Sequence, residues 1–381
     1  MIHFFGIRKK PAKDISTVSS SLDDSSSFLY QMPSEEHPHE GTWLQWPHNQ
    51  NGANRRRRLV ERYEESWVQM TMALSTGERV HIIVYNVPEK DRIHRLLSDR
   101  GCDMEQIDFY TWPTDDVWIR DNGPIFVFTY PRQPPNQQQH EHQQHQLHIT
   151  DWKFNGWGNK ANYQHDNQIP SLVAHALGLP QTTIPMVNEG GSIEVDGCGT
   201  LMAKRSSILN NNRNKGWKQE DAEAYFRQYL GVSNFIWLDG TKGMDITDDH
   251  IDGTARFANG TTIITHHRED FEVRKEYDIL ERATNVKGES YQIVHLPLTK
   301  GKVVKGDYGI YINYYVANSV LLVPSYGDPN DVVAERVLQG VYPNKRIVSV
   351  NMKEVLKDGG AIHCVTQQQP MAHTYHEVET I

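Results

Sequence analysis

One supersecondary unit recurs along this chain, and that recurrence limits the fold more than any other feature. The unit is an apolar hairpin, then a helix, then a single apolar strand. "EGGSIEVDGCGTLMAKRS" (189–206) reads as two strands about the turn "DGCG", followed by the helix "EDAEAYFRQYLG" (220–231) and the strand "FIWL" (235–238). "HIDGTARFANGTTIITH" (250–266) repeats the hairpin about "ANG", with a helix within 269–284 and the strand "YQIVHLPL" (291–298). "YGIYINYYVANSVLLVPSYGD" (308–328) repeats it again, with a helix within 330–340 and the strand "RIVSV" (346–350). Another unit opens with "DNGPIFVF" (121–128) and "WKFNGWG" (152–158), then runs through a helix near 170–178 to "TTIPMV" (182–187). The front of the chain has a helix (58–74) and the strand "HIIVY" (81–85) but no full hairpin. The C-terminal "AIHCVTQQ" has the reverse, strands without a helix. Together the two ends complete one unit. Five units with final strands ending near 85, 187, 238, 298 and 350 predict a closed ring. Closure also removes exposed sheet edges.

The ring occupies residues 31–375 as a single α/β domain. Residues 1–30 read as a disordered polar tail, rich in Lys, Ser and Asp over 9–27. "PRQPPNQQQHEHQQHQLH" (131–148) reads as a flexible Gln/His-rich insertion between ordered patterns.

Charge and cysteine usage narrow the function classes. A net charge of −9 and a pI near 6.1 imply no phosphate-tracking surface and favour a cationic over an anionic partner. No nucleic-acid motif is present, and the run Arg55–Arg58 reads as a solvated helix face. Three widely spaced cysteines, Cys102, Cys198 and Cys364, argue against a disulfide framework and for a reducing, cytoplasmic setting. No apolar run of about 18 residues predicts a membrane span, and the N-terminus has no secretory h-region.

Chemistry-bearing residues fall at the starts of the units. Asp121 opens one in "DDVWIRDNGPIF", and Glu189 opens the next in "NEGGSIEV". His250 and Asp252 open a third in "DDHIDGTARF", and Cys364 opens the last. In a ring of like modules, equivalent positions point at one axis. One thiol, one imidazole and three carboxylates would then share a pocket. Crowded carboxylates need a cation. Guanidinium is a planar cation with forked N–H donors that match carboxylate pairs. A thiolate beside that cation and an imidazolium is stabilised and can attack the guanidinium carbon. The imidazole can protonate departing ammonia and then activate water. Deimination is the natural reading of this set.

Three other readings use part of this set. His250-x-Asp252 offers two metal ligands, but no further His/Cys cluster has suitable spacing. A Cys-His-Asp hydrolase would use Cys364, His250 and a carboxylate, yet leaves Asp121 and Glu189 without a role. A non-catalytic guanidinium-binding protein needs the carboxylates but neither Cys364 nor His250. Cys102 and Cys198 look incidental.

With these residues assembled, the sequence resembles the agmatine deiminase family, within the Porphyromonas-type peptidylarginine deiminase group. The motifs that carry it are "TWLQWPH", "DDVWIRDNGP", "WKFNGWGNK", "NEGGSIEVDGCGTL", "SSILNNNRN", "DDHIDGTARF", "SYGDPNDVVAERVL" and "GGAIHCVTQQQP", spread from Met32 to Met371. The resemblance implies a five-bladed α/β propeller of the pentein type, built of ββαβ modules. It implies hydrolysis of agmatine to N-carbamoylputrescine and ammonia through a covalent intermediate on cysteine, with no cofactor or metal. By motif position it makes Cys364 the nucleophile, His250 the general acid/base, and Asp121, Asp252 and Glu189 the guanidinium partners. Trp118 packs on the substrate stem, and Gly190, Gly359 and Gly360 count as further substrate-contacting positions. Family members are often dimers, so a homodimer is expected. One departure stands out: "DDHID" replaces the "GHIDN" form associated with agmatine deiminases and resembles the branch called peptidylarginine deiminase. Deimination of peptidyl or free arginine to citrulline therefore stays open as an alternative.

Overall fold

The computed structural model describes residues 28–132, 145–271, 274–304 and 306–372. Five modules share one topology, in which two antiparallel strands are extended by a third running parallel to the second. In the first module the C-terminal strand Gln367–Pro370 pairs antiparallel with His39–Gln45, which pairs parallel with Arg79–Val84. The second holds Ile125–Pro131, Gln146–Lys153 and Gln181–Val187. The third holds Ile193–Val195, Thr200–Lys204 and Asn234–Leu238. The fourth holds Ala255–Asn259, Thr262–His266 and Gln292–Leu296. The fifth holds Tyr315–Val316, Val320–Ser325 and Arg346–Asn351. A parallel third strand requires a crossover. The helices Leu59–Leu74, Ile169–Leu177, Gln219–Leu230, Arg274–Glu281 and Asp331–Val341 supply it.

Local sequence explains these elements. "RVHIIV" is buried at all but its first residue, as a strand covered on both faces must be. Trp67, Met70 and Leu74 recur at helical spacing along 59–74 and bury against the same core as Ile82, Val84 and Leu322. The third helix is started by Asp221, whose carboxylate accepts the Lys218 N–H at 2.8 Å.

The expected mixed α/β fold and its five units are present, and the pairing of Gln367–Pro370 with His39–Gln45 joins the two chain ends. Four details differ. Phe28–Gln31 is a strand paired with Ile125–Pro131, so order begins inside the stretch assigned to the tail; residues 1–27 lie outside the described residues. The insertion is shorter than expected, because Pro131 and residues 146–148 belong to strands; residues 133–144 lie outside the described residues. The first sheet gains a fourth strand, Ile107–Thr111, after an additional helix, Val87–Asp99. Residues Asp307–Ile310 do not join the fifth hairpin; they pair with Leu298–Val304 as a separate two-stranded ribbon. No helix among the described residues is long and apolar enough to cross a membrane.

Each module begins with a short turn of backbone before its first strand, and these turns meet. Ile119–Asn122 packs on Gly190–Ser192 and on His363–Val365, and Gly190–Ser192 packs on Ile251–Gly253. The fifth module joins through Asn313, whose carbonyl accepts the His363 N–H at 3.1 Å.

Candidate active site

Cys364 lies where two cavities meet. One, of about 260 Å³, is walled by His250, Asp252, Asn313, Gly359, Gly360 and Cys364, with Met244, Phe271, Leu298 and Ile310 as its apolar lining. The other, of about 250 Å³, is walled by Trp118, Asp121, Trp157, Ala161, Ile246, Gly359 and Cys364. Arg57 and Asp116 stand at its edge, so this member of the basic run is half-buried and ion-paired instead of solvated.

The three carboxylates are buried and held in three different ways. Asp121 Oδ2 accepts the Trp157 indole N–H at 2.8 Å, and Oδ1 accepts the Gly191 N–H at 3.1 Å. Burial pushes the Asp121 carboxyl up to about 6; nearby Asp252 and Glu189 add to this, and His250 opposes it. Glu189 is gripped by Arg213, with Nε to Oε1 at 2.8 Å and Nη2 to Oε2 at 3.2 Å, and by His250 Nε2 at 2.8 Å. Burial works against its charge, but His250 and Arg213 together hold its carboxyl below the ordinary range. Asp252 Oδ2 accepts from His363 Nδ1 at 2.8 Å and from the Asn313 amide at 3.2 Å. Burial again opposes the charge, and His363, His250 and Arg256 together hold the carboxyl below its ordinary range.

His250 stands among these anions, with Nδ1 3.6 Å from Asp121 Oδ1 and Nε2 on Glu189. Burial alone would lower the imidazole; Asp121, Glu189 and Asp252 overcome it and raise His250 to about 9. Two consecutive left-handed residues, Asp248 at φ 63° and Asp249 at φ 75°, turn the chain into His250. Such a conformation costs about 1–2 kcal/mol per non-glycine residue. Here the departing "DD" is compensated: Asp249 binds Lys204 Nζ at 2.5 Å and the Thr241 N–H at 2.9 Å, and Asp248 binds Arg213 Nη1 at 2.5 Å.

The Cys364 sulfur donates toward Asn313 Oδ1 at 3.4 Å and lies 3.7 Å from Asp252 Oδ2. Burial, then the Asp252 and Asp121 charges, push its thiol well above the usual range. His250 is committed to Glu189, so the thiolate expected beside a cation and an imidazolium depends on the cation. A cation placed between Asp121 and Asp252 would reverse that balance.

Glycine placement follows from crowding. A Cβ on Gly191 would sit 2.7 Å from Asp121 Oδ1, 2.8 Å from His250 Nδ1 and 3.1 Å from Asp252 Oδ2, so three ionisable groups converge on a residue that must lack a side chain. Gly360 lies under the Trp118 ring, where a Cβ would approach Cζ3 to 2.4 Å, and Gly359 takes φ 98°; both line the cavities. Gly190 is different: it faces the Arg120 carbonyl and a groove lined by Glu35, Glu194 and His363, away from Cys364.

The structure thus brings Cys364, His250, Asp121, Glu189, Asp252, Trp118, Gly359 and Gly360 to one place and leaves Gly190 behind it. Sequence reasoning missed Arg213, Asn313, Trp157 and His363. Arg213 and Trp157 lie inside "SSILNNNRN" and "WKFNGWGNK", motifs with no role assigned to them. Among the described residues no His/Cys/Asp/Glu cluster could hold a metal ion.

Known proteins of the same design bear on this geometry. A Streptomyces coelicolor protein provisionally named an agmatine deiminase is 32% identical over 358 residues, covering 90% of this chain and 99% of its own. The agmatine deiminase of Enterococcus faecalis superposes with a TM-score of 0.77 at 26% identity, covering 90% of this chain and 96% of its own. A C. jejuni agmatine deiminase solved with substrate bound superposes with a TM-score of 0.76 at 25% identity, covering 91% and 97%. The model of the Porphyromonas-type peptidyl-arginine deiminase family matches residues 31–370, and the chain, with its five modules meeting at Cys364, belongs to that family.

Proposed function

We propose that this chain hydrolyses the guanidinium group of agmatine to N-carbamoylputrescine and ammonia. The observation that carries the reading is the meeting of Asp121, Glu189, His250, Asp252 and Cys364 around one cavity junction. Planar guanidinium sits between Asp121 and Asp252, which hold its carbon toward the Cys364 sulfur. Its positive charge offsets the carboxylates that keep the thiol protonated, and the thiol proton passes to Asp252. The thiolate attacks the guanidinium carbon and forms the C–S bond. His250 gives its proton to the departing nitrogen, the C–N bond breaks, and ammonia leaves. Neutral His250 then takes a proton from water. Hydroxide adds to the amidino-thioether carbon, Asp252 returns its proton to the sulfur as the C–S bond breaks, the added hydroxyl gives its proton to the released ammonia, and N-carbamoylputrescine leaves with the thiol restored. None of these steps requires a cofactor.

The cavity lining favours agmatine over free arginine. Its two Lys/Arg side chains are already ion-paired, Lys204 with Asp249 and Arg57 with Asp116 and Asp358. An α-carboxylate would meet Asp245, Asp249, Asp270 and Glu276 instead of a counterion. Agmatine carries no carboxylate, and its far amine is a cation. The relatives named agmatine deiminases support the same choice.

Mass spectrometry of enzyme quenched during agmatine turnover tests the reading. The peptide carrying Cys364 is expected to gain the amidino adduct, and Cys364→Ala to release no ammonia. Citrulline formed on peptide arginine, with agmatine untouched, would overturn the substrate. A Cys364 peptide that stays unmodified during turnover would overturn the nucleophile.

A further inference from the structure

Behind the carboxylates lies a second buried layer that the reaction does not consume. His363, immediately before the nucleophile, is 2% exposed. Its Nδ1 lies 2.8 Å from Asp252 Oδ2, its Nε2 2.9 Å from Glu35 Oε2, and Nε2 is 3.8 Å from Glu194 Oε1. Both ring nitrogens stand within hydrogen-bond reach of carboxylate oxygens. Glu35 is itself fixed by Arg256 Nη2 at 2.8 Å, Arg120 Nη2 at 3.3 Å and the Val316 N–H at 2.9 Å; Arg256 Nε also binds Glu194 at 2.8 Å. The ring plane of His363 is therefore set from below by residues of several modules. From above it meets Asp252 Oδ2, the same oxygen that stands 3.7 Å from the Cys364 sulfur.

We propose that His363 is a positioning residue for deimination: its Nδ1–H aims the Asp252 carboxylate at the guanidinium, while its Nε2–H ties the ring to Glu35. The inference rests on the reading of Asp252 as a guanidinium partner. Asn313 alone would leave Asp252 with one donor and freedom to rotate about its Cβ–Cγ bond. Catalysis is sensitive to such rotation, because a displacement of about 1 Å can cost roughly a hundredfold in rate.

Two half-replacements separate the two bonds. Asn places its amide near Nδ1, and Gln places it near Nε2. His363→Asn keeps the donor to Asp252 and loses Glu35; His363→Gln does the opposite. We expect His363→Asn to hold kcat/KM for agmatine within about tenfold of wild type and His363→Gln to lose about a hundredfold. The pH midpoint for alkylation of Cys364 by iodoacetamide should be unchanged in the Asn variant and displaced in the Gln variant. Equal losses in both variants, or a more active Gln variant, would make His363 merely structural. The alkylation comparison needs no substrate, so it stands even where wild-type enzyme ignores agmatine, a result that would sink the functional reading alone. Should either variant fail to fold, ¹⁵N NMR of the wild-type imidazole decides: a protonated Nδ1 supports the proposal, and an unprotonated Nδ1 overturns it.

Discussion

Asp121 carries the least secure charge of the site. Its two hydrogen bonds, from Trp157 and the Gly191 amide, are neutral and its cationic neighbour His250 stands back at 3.6 Å, whereas Glu189 has Arg213 at 2.8 Å and Asp252 has His363 at 2.8 Å. Burial, which these contacts do not offset, pushes the carboxyl up to about 6. His250 keeps its proton to about 9. Turnover needs the first group negative and the second protonated. As pH falls through about 6, Asp121 gains a proton and loses its hold on the cation. As pH rises through about 9, His250 loses the proton owed to the leaving nitrogen. The thiol proton moves to Asp252 within the site and adds no limb between. A kcat/KM profile is expected to be bell-shaped with these limbs, and Asp121→Asn to lose at least ~100-fold in activity with little change in thermal stability. A profile flat from pH 5 to 10 would contradict the assignment. The ionisable members of this set were legible because each opens a module in a short motif. Asn313 was not: the fifth module opens with "IYINYY", which has no carboxylate, imidazole or thiol to attract notice.

At the level of elements, one guanidinium inside the protein stitches two module starts together. Arg213, 1% exposed at its side chain, binds Glu189 with two nitrogens, Asp248 at 2.5 Å and the Thr247 carbonyl at 3.0 Å. It thus joins the turn before the third module to the loop that delivers His250. Arg213→Met would leave Glu189 buried with His250 as its remaining cationic partner. Removing one side of a buried pair costs about 3–5 kcal/mol. Chemical denaturation should show a loss of that size, with Arg213→Lys recovering only part because an ammonium cannot fork across both carboxylates. A loss below about 1 kcal/mol would mean that the pair is already hydrated. The ribbon formed by Leu298–Val304 and Asp307–Ile310 escaped sequence reasoning for a different reason. "LTKGKVV" is interrupted by two lysines and a glycine, and "YGIYINYYV" runs unbroken into the true hairpin. Alternation was too weak to split one from the other.

Across the whole molecule, the count of modules was readable because each crossover strand carries a short apolar stretch, such as "HIIV", "FIWL" or "IVSV", that stands out after its helix. The predicted ends near 85, 187, 238, 298 and 350 compare with observed ends at Val84, Val187, Leu238, Leu296 and Asn351. Closure was readable only as a mismatch between two incomplete ends; the structure supplies its physics. Gln367–Pro370 shields an otherwise open edge of His39–Gln45, and its side chains reach inward. Gln369 Oε1 accepts the Trp43 indole N–H at 2.9 Å, and Gln368 Oε1 accepts Arg120 Nη1 at 2.8 Å. A chain ended at Thr366 would keep every residue that touches the guanidinium, including Cys364. It would nonetheless strip the partner from a buried strand and leave several backbone and side-chain groups unsatisfied, each costing about 1–3 kcal/mol. The truncated protein is expected to lose its cooperative unfolding transition and all turnover. Native-like melting with retained activity would show that the ring does not need its last strand, and that the hub at Cys364 is held by the other four modules alone.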